Sequence, residues 1–92
     1  MILRDRVQVT RNGVTTEYRA EVRPLGTEQW SGAPQDGPIV TRFRVFLPGS
    51  ASAITLADTM KWHGQTLLME GRIEAHRIGG RVHHYEVVVT QQ

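Results

Sequence analysis

The pair Asn12-Gly13 is the strongest constraint on the fold, because it separates two runs in which apolar and polar residues alternate. Both residues tolerate a positive φ, and the pair is typical of two-residue β-hairpin turns. A slip of one residue would turn the apolar face of the second strand outward, so turn and pattern together predict a single register. That register contains two cross-strand pairs near the turn: Val9 with Thr16, and Val7 with Tyr18.

A third strand with two unlike faces is predicted for residues 39–48, IVTRFRVFLP. Alternation places Phe43, Val45 and Leu47 on the apolar face. The opposite face carries Arg42, Arg44 and Phe46. Basic residues interleaved with an aromatic residue can bind single-stranded nucleic acid, as they do on OB-type barrels. The pattern also fits an interface or solvated face whose other side is core, and we favour this interpretation.

Residues 50–58, SASAITLAD, fit either an extended crossing or a single helical turn, and we favour the extended form. Residues 59–77, TMKWHGQTLLMEGRIEAHR, then predict a fourth and a fifth strand joined at His63-Gly64. This turn sets Met60 opposite Leu67.

The last hairpin is predicted to contain a bulge. A two-residue turn at Gly79-Gly80 would set Glu74 against Tyr85 and mix the two faces. A three-residue loop or a bulge keeps the faces apart and predicts three other pairs. These are Ile73 with Tyr85, Arg72 with Glu86, and Met69 with Val89.

Six short strands joined by hairpins, with almost no helix, predict an all-β fold. We expect one domain over residues 1–92, a small antiparallel β-barrel or sandwich with one long internal loop, because a chain of 92 residues builds only one core. The sequence has no cysteine for disulfides and a net charge of only +2, which is mild for a duplex-binding protein. We expect neither a signal peptide nor a membrane span.

The long loop is predicted for residues 26–38, GTEQWSGAPQDGP, which contain three glycines and two prolines. Pro24 is expected to end the preceding strand, and the loop is expected to be the most mobile internal region. We predict that it contacts a partner. The candidate contact residues are Gly26, Glu28, Gln29, Trp30, Gln35 and Asp36.

Replacing Trp30 with alanine is expected to leave the stability of the isolated monomer nearly unchanged and to weaken assembly, because the indole supplies most of the apolar area in the loop. Thermal unfolding of the monomer and an assembly assay measure the two effects. A loss of many degrees in melting temperature would instead identify Trp30 as a plug of the core.

The sequence offers little for catalysis or metal binding. His83 and His84 are adjacent and should point to opposite faces of a strand. His76 could approach one of them across the hairpin, but we favour the interpretation that these are solvated polar residues at the end of a strand. Glu70 and Glu74 would lie about 13 Å apart on one strand, which is too far for a carboxylate pair. We therefore expect no enzyme, no catalytic residue, no cofactor and no metal site.

The order of parts carries a resemblance. A hairpin, a long Gly/Pro loop and the strand TRFRVFLPG are followed by ITLADTMKWHGQTLLMEG. The last segment has an aliphatic residue before an Asp-led turn, a polar residue before glycine in a hairpin, and an apolar strand that ends in an acidic residue and glycine. The residues of these three features are, in order, Ile54 and Asp58; His63 and Gly64; and Leu67, Met69, Glu70 and Gly71. This order resembles the head-closure or head-to-tail stopper proteins of tailed bacteriophages.

The resemblance implies a non-enzymatic β-barrel that forms a homo-oligomeric ring at the head-tail junction of the virion. Such a ring lies below the portal and adaptor proteins and above a tail terminator or tail tube protein. It closes the portal channel after packaging, docks the tail and lies near packaged DNA without reading its sequence. The implied locations are the virion and, during assembly, the host cytoplasm, with no membrane partner. The alternative is an OB-like barrel that binds single-stranded nucleic acid.

The isolated protein is expected to be chiefly monomeric at micromolar concentration and to form its ring only on an assembled partner, because the sequence has no long apolar helix or obvious dimer seam. Analytical ultracentrifugation measures this. A stable closed ring of the pure protein would contradict it.

Overall fold

Six antiparallel strands close into a barrel in the computed structural model, which describes residues 2–29 and 39–91. The strands are β1 (Asp5–Arg11), β2 (Val14–Gln29), β3 (Ile39–Pro48), β4 (Thr59–Trp62), β5 (Gln65–Ile78) and β6 (Arg81–Gln91). Their order around the barrel is β1-β2-β3-β6-β5-β4. The described residues form no helix, so the all-β prediction is confirmed. Accordingly, they contain no helix long and apolar enough to cross a membrane.

The two tight turns predicted from Asn-Gly and His-Gly are both confirmed. Asn12 and Gly13 have φ values of 50° and 78°, and His63 and Gly64 have values of 51° and 75°. The turns fix the predicted registers, with Val9 opposite Thr16, Val7 opposite Tyr18 and Met60 opposite Leu67.

Strand β2 runs further than predicted. Instead of ending at Pro24, it continues to Gln29, with a register shift between Pro24 and Gly26. Proline is tolerated at bulges and on edge strands because it has no N–H to donate to a ladder. Pro24 meets both conditions. It lies next to the register shift, and this part of β2 is an edge because β1 pairs with β2 only as far as Ala20. Residues 26–29 therefore belong to a strand, and residues 30–38 of the predicted loop lie outside the described residues.

The β5–β6 hairpin has a bulge, as predicted, but its register near the turn differs. Met69 pairs with Val89 as expected, whereas Ala75, not Ile73, faces Tyr85. Glu86 likewise faces Glu74 and not Arg72. The predicted Ile73–Tyr85 and Arg72–Glu86 pairs are therefore wrong.

Two irregularities cause this difference. The turn has only two residues, Gly79-Gly80, so Ile78 pairs with Arg81. One residue further along, His83 is an extra residue on β6, because Arg77 pairs with Val82 and His76 pairs with His84. A second shift lies between Glu70 and Glu74, where Gly71 has a φ of 68° that favours glycine. The first shift adds a residue to β6 and the second adds residues to β5, so a prediction with one bulge cannot reproduce both.

The barrel interior is filled by apolar side chains from all six strands and from the segment between β3 and β4. The buried residues are Val7, Val9, Ala20, Phe43, Val45, Leu47, Ala51, Ile54, Met60, Leu67, Val87 and Val89. The predicted apolar face of β3 is thus confirmed, and its opposite face points away from the core.

Residues 50–58 form successive turns, so the extended crossing is wrong. The amide of Ala51 donates to the carbonyl of Pro48 at 3.0 Å, and the amide of Ile54 donates to the carbonyl of Ala51 at 3.2 Å. Ala51 and Ile54 are both buried. Residues three apart point to opposite faces of a strand, so only a turn brings both to the core.

A salt bridge ties the last of these turns to the end of β1. The carboxylate of Asp58, only 4% exposed, accepts bonds from Arg11 Nε at 2.7 Å and Arg11 Nη2 at 2.9 Å. It also accepts a bond from the amide of Thr55 at 2.9 Å. The bonds from Arg11 are the main reason that the pKa of Asp58 lies below its usual value.

Replacing Asp58 with asparagine is expected to destabilise the protein at neutral pH and to have less effect in acid. A lowered pKa in the folded state stabilises the fold above the ordinary carboxyl pKa, and the gain disappears as the pH falls through the folded-state value. Urea unfolding at about pH 7 and about pH 3 measures the gap in the free energy of unfolding between wild type and variant. Glu17→Gln, which removes an exposed pair with Arg6, is the control and should have little effect at either pH. A gap that does not narrow in acid would contradict the prediction.

Candidate functional site

Four neighbouring strands present a face on the outside of the barrel that carries several charged side chains, with the apolar Val88 between Arg44 and Glu70. Because Phe43, Val45 and Leu47 point inward, the alternate residues of β3 point outward beside those of β2, β6 and β5. We call this surface the arginine face. It contains Glu21, Arg23, Arg42, Arg44, Phe46, Glu70, Glu74, His76, His84 and Glu86.

The arginines predicted as a possible nucleic-acid face are paired with carboxylates. Arg44 Nη1 lies 3.1 Å from Glu86 Oε1 and 3.7 Å from Glu74 Oε2. Arg42 Nε lies 3.6 Å from Glu70 Oε2. Glutamates of β5 and β6 thus balance the charge of both β3 arginines. The sequence pattern did not reveal this pairing, because it depends on the register of β3, β6 and β5.

Phe46, the aromatic residue of this face, is partly buried and has a guanidinium and an imidazole as close neighbours. The guanidinium of Arg23 lies 4.8 Å above the centre of the Phe46 ring, in cation–π geometry. The same arginine bonds Glu21 at 3.0 Å, and the centre of the His84 ring lies 5.9 Å from the centre of the Phe46 ring. A ring with these neighbours offers little open surface on which a base could stack.

A cluster of histidines occupies the end of the arginine face nearest the β5–β6 turn. His76 and His84 are cross-strand partners, and their rings stack at 4.8 Å with an angle of 8°. Both rings reach Glu86: Nε2 of His84 lies 2.8 Å from Oε2, and Nε2 of His76 lies 3.1 Å from the same oxygen. The possible approach of His76 to the β6 histidines is therefore observed.

The bulge also brings His83 into this cluster. Nδ1 of His83 lies 2.9 Å from Nδ1 of His84, so one ring donates a hydrogen bond to the other. Regular alternation would have placed the two rings on opposite faces. That premise of the sequence argument against a metal site is wrong, because His83 is the extra residue of a bulge.

Glu86 is a carboxylate held by several donors. Burial alone would raise its pKa, but hydrogen bonds from His84 and Arg44 and the nearby His76 ring outweigh burial and lower it. Its two oxygens have separate partners, since Oε1 accepts from Arg44 and Oε2 faces the histidines. Glu86 therefore links the ion pairs of the arginine face to the histidine cluster.

The structure describes three of the six predicted partner-contact residues. Trp30, Gln35 and Asp36 lie outside the described residues. Gly26, Glu28 and Gln29 belong to the backbone of β2, where they pair with Arg42, Val40 and Ile39 of β3.

Comparisons of the chain with protein-family models, with curated proteins and with solved structures find no match.

Proposed function

We propose that this chain is a structural protein of the head-tail junction of a tailed bacteriophage. It forms a ring that closes the portal channel after DNA packaging and docks the tail. The observation that carries the proposal is the closed six-stranded barrel. The residues of the resemblance that we compare with it form β3, the turns before β4, and the β4–β5 hairpin, and β6 lies between β3 and β5.

Several residues of the resemblance lie in the core of the barrel or in its turns. Ile54 is buried, and Asp58 both closes the turn at Thr55 and binds Arg11. His63 and Gly64 form the tight turn, and Leu67 lies in the core. Some of the sequence features that resemble the connector proteins therefore belong to the core and the turns of this barrel.

The charge balance of the arginine face supports a protein contact over a phosphate contact. Its three arginines face four glutamates, and each arginine lies within 4 Å of a carboxylate. Phosphate binding would require these guanidinium groups to exchange existing carboxylate partners for phosphates. A surface with both charges interspersed suits contact with another protein surface, where complementary charges fix the orientation of the partners.

The proposed ring is homo-oligomeric, with portal or adaptor protein on one side and tail terminator or tail tube protein on the other. A ring member presents two unlike surfaces to its neighbours, since a heterologous contact closes only through rotation. The arginine face is the surface that we assign to one of these protein contacts.

Removing the gene from the phage that encodes this chain tests the proposal. We expect DNA-filled or leaking heads and separate, complete tails in electron micrographs, and full particles when the wild-type gene is supplied in trans. Immunogold labelling of complete particles is expected at the head-tail junction. Normal infectious, tailed particles in the absence of the chain would overturn the proposal. In that case, salt-dependent binding of a labelled single-stranded oligonucleotide would support the alternative barrel function.

A further inference from the structure

We propose that His76, His84 and Glu86 form a binding site for a divalent first-row transition metal, with Zn²⁺ as the expected ion. Their ligand atoms all lie within 4.8 Å of one another. Two imidazole nitrogens and a carboxylate oxygen are a ligand set that Zn²⁺ uses in proteins, with a fourth position left for water. The site shares Glu86 with the ion pairs of the arginine face, but zinc binding does not depend on the proposed phage function.

The spacing of the three groups is close to that of a coordination sphere. With metal–ligand bonds of about 2.0–2.1 Å, two ligands of a tetrahedral ion lie about 3.3 Å apart. Nε2 of His84 and Nε2 of His76 lie 2.8 Å and 3.1 Å from Glu86 Oε2. The two histidine–carboxylate distances need to lengthen by a few tenths of an ångström. The rings of His76 and His84, which stack with an angle of 8°, must also turn so that both Nε2 atoms point to the ion. His76 has room for this movement, because its side chain is 44% exposed.

A second layer of contacts orients two of the ligands. Arg44 binds Oε1 of Glu86 at 3.1 Å and leaves Oε2 for the metal. Glu74 lies 3.7 Å from the same guanidinium and offsets its positive charge. His83 contacts Nδ1 of His84, which is the ring nitrogen that would not bind the metal. Such outer contacts fix the orientation and tautomer of metal ligands.

The proton positions change in a balanced way when the metal binds. When His84 is neutral and no metal is bound, its hydrogen bond to Glu86 requires the hydrogen on Nε2, and the bond between the two rings is then donated from Nδ1 of His83 to Nδ1 of His84. Coordination needs the lone pair of His84 Nε2, so the hydrogen of His84 moves through solvent to Nδ1. His84 then donates to His83, whose own hydrogen moves to Nε2. His76 exposes a lone pair on Nε2 by the same change of tautomer, and no net proton is lost from neutral rings.

Calorimetric titration of the full, untagged chain with ZnCl₂ tests the site. We expect saturable binding of one ion per chain, weakened more than about 100-fold by His76→Ala, since even the loss of an outer contact typically costs 10–100-fold. His63→Asn is the matched control, because it removes an exposed imidazole outside the cluster and asparagine tolerates the positive φ. It should bind zinc like the wild type.

A spectroscopic measurement separates loss of the site from loss of the fold. Co²⁺ in place of Zn²⁺ should give visible absorption typical of tetrahedral nitrogen and oxygen ligands in the wild type and in His63→Asn, and not in His76→Ala. Circular dichroism should show the same β-sheet content in all three proteins. Absence of saturable binding by the wild type would overturn the proposal, and so would equal zinc binding by wild type and His76→Ala.

Discussion

Replacing Leu47 with alanine is expected to lower the free energy of unfolding by about 2–5 kcal/mol, the range for removing a large aliphatic side chain from a packed core. Leu47 is fully buried, at 0% exposure, and lies among the aliphatic side chains that fill the barrel. In a domain of this size, such a loss lowers the melting temperature by about 10 °C or more. Thermal and urea unfolding followed by circular dichroism measure both quantities.

Leu68→Ala is the matched control for this substitution. Leu68 follows the buried Leu67 on β5, and half of its surface is exposed. The two leucines lose the same atoms, but only Leu47 leaves a cavity. Similar losses of stability in the two variants would contradict the assignment of the inner and outer faces.

Replacing Gly49 with alanine is expected to cost about 1–3 kcal/mol, as for other groups forced into filled space. The added Cβ would lie 2.5 Å from the carbonyl oxygen of Val82 and 3.4 Å from its carbonyl carbon. These are backbone atoms of β6, so the strand itself must move. Urea unfolding measures the loss, and Ser50→Ala, at the exposed neighbouring residue, should have little effect. A variant as stable as the wild type would show that β6 shifts there at no cost.

The regular parts of the fold could be predicted because their determinants are local. At Asn12-Gly13 and His63-Gly64, the turn residues and the apolar alternation agree, and each alone would give the same register. The face of β3 that carries Leu47 followed from alternation within a single strand. Such signals need no knowledge of the rest of the chain.

The candidate site could not be predicted because it depends on departures from regularity. Adjacent histidines are separated by strand alternation unless one is an extra residue, and nothing in the neighbouring letters marks His83 as that residue. The pair between Arg44 and Glu86 depends on the register of β3 and β6, and the pair between Arg44 and Glu74 depends in addition on the shifted register of the β5–β6 hairpin. Outside the candidate site, the bond between Arg11 and Asp58 could not be predicted either, because it joins residues 47 positions apart in the sequence. Only the spacing of Thr55 and Asp58 hinted at a capped turn, since a carboxylate three residues after threonine often binds its backbone amide.

The ladder between β1 and β4 contains only three residue pairs, as does the ladder of the β4–β5 hairpin, but no tight turn joins β1 to β4. If the β1–β4 ladder opens, the other five ladders can stay intact, and the closed barrel becomes an open, curved sheet with β1 and β4 at its two edges. Amide hydrogens in this ladder should therefore exchange with solvent through a local opening, while those between β3 and β6 wait for global unfolding. We therefore expect the closed barrel to open locally between β1 and β4 before the rest of the sheet unfolds.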